Sequence, residues 1–337
     1  YNKVTVTDAS GTLTFAPETL IFTLEVKFSS EAARPKPDTR LSIAADSVNI
    51  VKMAKFYNLE NTDLHFKNTT IGYLGEMSSW ALFIVYSINA TIVLEEVKIA
   101  SFLEGIWLYK SASTHVTLSK SLIDVTTSHE EDQEETKYGL YLSSFTDGSL
   151  TVKDSTIRVA EAYEWDGSCY AFSTRYVTRS NFTFVGNAIT VGTKWDAMVL
   201  MTYKYTDSCL VFENNRIATT CCDDVSDPSA ECRCGSWTYQ NVVFMHTFTR
   251  SSLSFRGNDM KQDGDKVMTI RAYGPMDDGQ LNFYGNRVAQ PNAIAGHYSS
   301  AFDFYKTAPA ATIIHNNTFE LSAGNPVLRY QSLPAAQ

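Results

Sequence analysis

The chain has 337 residues, 44% of them hydrophobic, and a formal net charge of -9. With no basic stripe to neutralise phosphates, that charge argues against a nucleic-acid partner. No apolar run reaches the roughly 18 residues of a membrane span, so this segment holds none.

No signal-peptide pattern opens at Tyr1, which reads as a processed or truncated start. Val4 and Val6 read as a strand whose predecessor is missing. A repeat then begins, and its cleanest copy is LNFYGNRV at 281–288. Two apolar residues alternate with polar ones, a bend follows at Gly285-Asn286, and an apolar residue re-enters. Alternation at period two predicts a strand with one buried face. Gly and Asn tolerate the left-handed backbone of a sharp bend.

The first apolar residue of each copy is an anchor. In chain order the anchors are Leu13, Leu41, Leu64, Ile92, Val116, Leu150, Phe182, Leu210, Leu253, Leu281 and Thr312. The residues seven further on start with Leu20, Val48 and Ile71 and stay apolar throughout. Steps between anchors range from 23 to 43 residues, so core positions hold while loop lengths vary. That is the mark of a solenoid. A second strand follows in each copy, for example Ile106 to Tyr109, Leu140 to Leu142 and Phe302 to Phe304.

These features predict an all-β fold, a right-handed single-stranded parallel β-helix of about eleven turns forming one continuous domain over 1–337. The polar, Pro-bearing stretch 29–40 is an exposed connection. Two insertions decorate the rod. The loop at 124–138 carries Glu130, Glu131, Asp132, Glu134 and Glu135, which read as a solvated loop rather than a calcium site. The loop at 218–240 carries Cys221, Cys222, Cys232 and Cys234. An even count in a loop lacking its own core suggests disulfides and an oxidising, extracellular or cell-surface location, with Cys169 and Cys209 standing apart as further candidates. The spacing of the loop cysteines does not suit zinc, and no cofactor motif is present. Both ends fall in mid-turn, which predicts a segment of a longer chain or a subunit that stacks end to end.

Four sequons occur, at Asn68, Asn89, Asn181 and Asn316, about the number that composition alone gives. Asn187, Asn215, Asn258, Asn286 and Asn317 occupy one position on five consecutive copies. Stacked Asn side chains can hydrogen-bond along a cross-β axis, so this column is read as structural.

The architecture resembles the pectin-lyase-like superfamily of β-helices. The Phe-x-x-Asn copies at 184–187, 212–215, 255–258 and 283–286 are similar to repeats of the trypanosome dispersed gene family surface proteins and, more distantly, of the chlamydial polymorphic outer-membrane autotransporters. That resemblance implies a surface glycoprotein. It covers nearly the whole chain, but the Gly-Gly-Ala companion motif of the chlamydial family is absent.

Many pectin-lyase-like proteins are polysaccharide lyases or hydrolases, which need paired carboxylates on one face. Asn61-Thr62-Asp63 matches the first of four motifs of polygalacturonases, but the Gly-His-Gly and Arg-Ile-Lys motifs are missing and Asp223-Asp224 and Asp277-Asp278 fall in loops. No catalytic or metal residue is assigned. The reading is a non-catalytic structural or adhesive segment that meets protein partners, copies of itself or glycans. The alternative is a polysaccharide lyase or glycoside hydrolase. If Ile106 and Leu108 point inward, alternation sends Trp107 and Tyr109 outward. The same register sends out Tyr141, Val199, Met201, Tyr203, Val243, Met245 and Tyr305, and these nine residues form the expected contact surface, the alternative being that the long loops at 124–138 and 218–240 fold over and cover the strip.

Overall fold

A computed structural model of the chain describes residues 11–15, 21–22, 26–29, 41–46, 49–50, 53–72, 80–101, 103–126, 136–160, 167–193, 196–220, 239–293, 299–305 and 309–330. Three sheets of eleven strands each run the length of the molecule, and each strand pairs with its equivalents one coil before and one coil after. Every recorded pairing is parallel, for example Thr91↔His115 and His115↔Ser149 in sheet 1. Sheet 1 begins with strand Gly11–Phe15, sheet 2 with Ile21–Phe22 and sheet 3 with Val26–Ser29. Ten steps at about 4.8 Å give a stack about 48 Å long. No described helix is long and apolar enough to cross a membrane.

The chain is a parallel β-solenoid, and its coil has three strands rather than two. The short apolar segment after each bend, such as Ala188–Gly192, is the strand of sheet 2. The interior is filled by the columns that the repeat defines. Phe182, Phe184 and Ile189 are all buried, as are their equivalents Leu253, Phe255 and Met260. Identical positions stack ring on ring: Phe184 lies 4.7 Å from Phe212, and Phe212 lies 4.8 Å from Phe255 with their planes 3° apart.

Two departures from the expected register occur. In the first coils Leu13 pairs with Ile43, and Ile43 with Leu64, so Leu41 is not the equivalent of Leu13. Likewise Phe22, Ile50 and Ile71 are equivalents, in place of Leu20, Val48 and Ile71. The slip is two residues, which preserves the face because side chains alternate. The second departure, in sheet 3, alters which face residues occupy and is described with the site.

Both bends of sheet 1 use left-handed backbone. At the bend into sheet 2 the column Asn68, Glu96, Lys120, Asp154, Gly186, Asn214, Gly257, Gly285 and Asn316 has φ between 48° and 67°. At the bend from sheet 3, Asn61, Asn89, Ser113, Asp147, Arg179, Asp207, Arg250 and Asp278 have φ between 46° and 54°. Non-glycine residues carry a steric cost in that region. Hydrogen bonds from the next residue hold them there. Asn258 Nδ2 donates to Phe212 O at 3.0 Å and to Asn286 Oδ1 at 2.9 Å, while its Oδ1 accepts from Asn215 N and Asn215 Nδ2 at 2.9 Å. The same pattern links Asn187 to Asn215 and Asn286 to Asn317. Towards the first coils Ser155 and Ser121 take over: Ser155 N donates to Asn187 Oδ1 at 2.9 Å, and Ser121 N to Ser155 Oγ at 3.1 Å. A serine ladder serves the other bend, where Ser180 N donates to Ser208 Oγ and Ser208 N to Ser251 Oγ, each at 3.0 Å.

The described part of the acidic insertion narrows its bounds. Strand Leu122–Val125 includes residues 124 and 125, and strand Lys137–Thr146 starts at 137. Likewise strand Arg216–Thr220 and strand Tyr239–Thr249 trim the cysteine-rich insertion. The five acids of the first loop and Cys221, Cys222, Cys232 and Cys234 of the second lie outside the described residues, as do Val4 and Val6.

Candidate functional site

The outward face of sheet 3 is lined with aromatic side chains. Trp80, Phe83 and Trp107 form a cluster with ring centroids 5.2 to 5.7 Å apart. It continues to Tyr141, 5.0 Å from Trp107, then to Tyr138 at 5.2 Å and to Tyr170, stacked on Tyr138 at 5.4 Å. A second group lies further along the stack. Tyr203 is 4.9 Å from His246, His246 is 5.1 Å from Phe244, and Tyr273 stacks on Tyr305 at 4.8 Å. Such pairs add about 0.5–1.5 kcal/mol each beyond the area they bury.

Between the groups lies a groove of about 340 Å³ lined by Tyr138, Tyr141, Ser173, Thr174, Arg175, Tyr176, Met201 and Tyr203. Tyr176 and Tyr203 flank it half exposed, their rings 6.3 Å apart. Burial pushes the Tyr138 hydroxyl up to about 12, and it also raises Tyr141 and Tyr170. All three are therefore neutral hydrogen-bonding groups near pH 7.

Beyond the groove the strip becomes ionic. The Arg271 guanidinium lies 4.5 Å from the Tyr239 ring centre and 5.5 Å from that of Phe244, and its Nε is 3.8 Å from Asp303 Oδ2. Asp196 accepts a hydrogen bond from Tyr239 N at 2.9 Å. Burial raises the carboxyls of both Asp196 and Asp303, against the opposing pull of Arg271. Burial, then Arg271, holds His246 below its ordinary value. Among the described residues no cluster of three or more metal-ligating side chains occurs.

Of the nine expected contact residues, Trp107, Tyr109, Tyr141, Met201, Tyr203 and Tyr305 lie on this strip. Tyr141 is already largely covered by its neighbours, whereas Tyr203 is half exposed. Val199, Val243 and Met245 do not; all three are core residues. The reason is a double break in the alternation of sheet 3. Near the start of each strand two consecutive residues enter the core, as with Ala81-Leu82, Ala171-Phe172, Val199-Leu200 and Val242-Val243. Val243 therefore pairs with Leu200 and Ile270, while Phe244 pairs with Met201 and faces out. Later in the strand two consecutive residues leave the core, as at Tyr109-Lys110, where Lys110 has φ 56°. Aligning Phe244 rather than Val243 with Trp107 would have found Phe244 and His246. Arg175 and Arg271 carry no pattern of their own in the sequence.

The sequon residues Asn68, Asn89, Asn181 and Asn316 are all exposed, and all lie on sheet 1 or its bends. No disulfide joins Cys169 to Cys209. Cys169 is buried on sheet 3, and Cys209 is an exposed free thiol on sheet 1. Cys169 faces the core and Cys209 faces solvent on another sheet, which keeps these two from bridging each other.

No family model matches this sequence, and no curated protein matches it. Among solved structures the chain is similar to the A-module of the Azotobacter vinelandii mannuronan C-5 epimerase AlgE6, with a TM-score of 0.37 and 9% identity over 99% of this chain and 91% of that one. No residue correspondence follows from a similarity this low.

Proposed function

We propose that this protein is a non-catalytic structural and adhesive β-solenoid of the cell surface or extracellular space, and that the aromatic strip of sheet 3 binds glycan chains. The groove flanked by Tyr141, Tyr176 and Tyr203 carries the reading. Tyrosine rings give apolar faces for sugar rings and hydroxyls for their polar edges. The rings stand on a sheet whose strands are locked above and below, so little ordering entropy is lost on binding. The exposed rings of Tyr176 and Tyr203 adjoin half-buried aromatic surface, and contiguous apolar surface marks interaction sites. Exposure of all four sequon residues supports an extracellular setting. So does the resemblance of the Phe-x-x-Asn copies to trypanosome and, more distantly, chlamydial surface proteins. Affinity electrophoresis through gels containing pectin, alginate or host-type glycans tests the reading. Retardation by at least one glycan is expected; free migration through all of them, with a concentration-dependent dimer instead, would assign the strip to a second copy of the chain.

A second reading is favoured by one observation. Asp196 and Asp303 have raised carboxyl pKa values, as general acids do, and flank Arg271 near a neutral His246. That set suits a polysaccharide lyase or glycoside hydrolase. New reducing ends or unsaturated products, abolished by Asp303→Asn, would establish it.

A further inference from the structure

We propose that the groove between Tyr141 and Tyr203 selects an anionic glycan, one bearing carboxylate or sulfate groups, and that Arg175 is the residue that selects it. The inference rests on the glycan-binding reading above. The charge of this face departs from that of the whole protein. The chain carries a net charge of -9. Yet the five consecutive sheet-3 strands from Glu104–Ala112 to Tyr239–Thr249 hold one acid, Glu104, and it is buried. Their exposed cations are Lys110, Arg175 and Lys204.

Three other exposed arginines are neutralised. Arg179 donates to both oxygens of Asp147 at 2.6 and 2.7 Å, and Arg250 to both oxygens of Asp207 at 2.7 Å. Arg287 donates to both oxygens of Glu320 at 2.9 and 2.8 Å. Arg175 lines the groove and forms no ion pair among the described residues. Its charge acts on the ring hydroxyls, opposing the rise in the pKa of Tyr141 and Tyr138. A planar fork of donors beside two tyrosine faces is suited to a sugar whose ring stacks while its anionic substituent takes two hydrogen bonds. The overall negative charge repels such a ligand, so binding cannot arise from net charge and has to come from this local set.

Calorimetric titration of the full chain with three hexasaccharides tests this. Cellohexaose is neutral, the hyaluronan hexamer carries carboxylates alone, and the chondroitin sulfate hexamer carries carboxylates and sulfates. At least one anionic hexamer is expected to bind about tenfold or more tightly than cellohexaose, and to weaken as salt rises. Comparison of the two anionic hexamers assigns the preference to carboxylate or sulfate. Arg175→Gln should cost about tenfold for that hexamer and clearly less for cellohexaose, with Arg175→Lys intermediate because it keeps the charge but loses the fork. Equal binding of all three, unaltered by Arg175→Gln, would overturn the anionic preference and leave the glycan surface standing. Absence of binding by any of the three would overturn both.

Discussion

Replacing Asn258 with Ala removes four side-chain hydrogen bonds from a buried position: two accepted from Asn215, one donated to Phe212 O and one donated to Asn286 Oδ1. Each is worth about 1 kcal/mol net, and the amide of Asn215 is left buried without its acceptor, so the expected loss is about 4–6 kcal/mol. Serine at the same place should be milder. In an earlier coil Ser155 Oγ still accepts from Ser121 N at 3.1 Å, so Asn258→Ser keeps the acceptor for Asn215 N and should cost about 2 kcal/mol. Urea unfolding followed by circular dichroism reads both values from the shift in midpoint at constant slope. A cost below about 1 kcal/mol for Ala, or Ser as damaging as Ala, would refute the view that this column holds the bends in place.

Other outcomes follow from the same geometry. Hydrogen bonds from Arg179 and Arg250 hold the exposed carboxyls of Asp147 and Asp207 below the usual range. Their contribution is complete above the unfolded carboxyl pKa of about 3.9 and is lost as pH falls through the lower folded value. The double variant Asp147→Asn/Asp207→Asn should therefore flatten the fall of the urea midpoint below about pH 4 and leave its shape at higher pH unchanged; an unchanged acid limb would contradict the ladder. Met245→Ser places a hydroxyl in the core and should cost about 2–5 kcal/mol, while Tyr203→Ser at the half-exposed rim loses two ring pairs and should cost about 1–2. Equal costs would mean the sheet-3 register is wrong.

Much of the fold was legible because it repeats. Leu281, Phe283 and Val288 reappear with the same spacing on almost every coil, and a spacing that buries one copy buries all. The Asn column was legible for the same reason. Sheet 3 was harder to read because its strands are not uniformly alternating. The consecutive core residues Val242 and Val243 invert the face of the residues that follow, up to the second break at His246-Thr247, and a local break of this kind leaves no mark in composition. The groove was only half visible. Tyr141 and Tyr203 follow from alternation, whereas Arg175 and Tyr176 become site residues only when neighbouring coils are stacked.

The central claim is that the exposed rings of sheet 3 bind a ligand rather than hold the coil together. Tyr176→Ser/Tyr203→Ser tests it, since both residues are about half exposed and flank the groove. With the tightest glycan found for the native chain, calorimetry of this double variant should show affinity falling by about tenfold or more while the β-sheet circular dichroism is kept and stability falls by no more than about 1–3 kcal/mol, the worth of the two ring pairs removed. Unchanged affinity, or loss of affinity only together with loss of the β-sheet signal, would contradict the account.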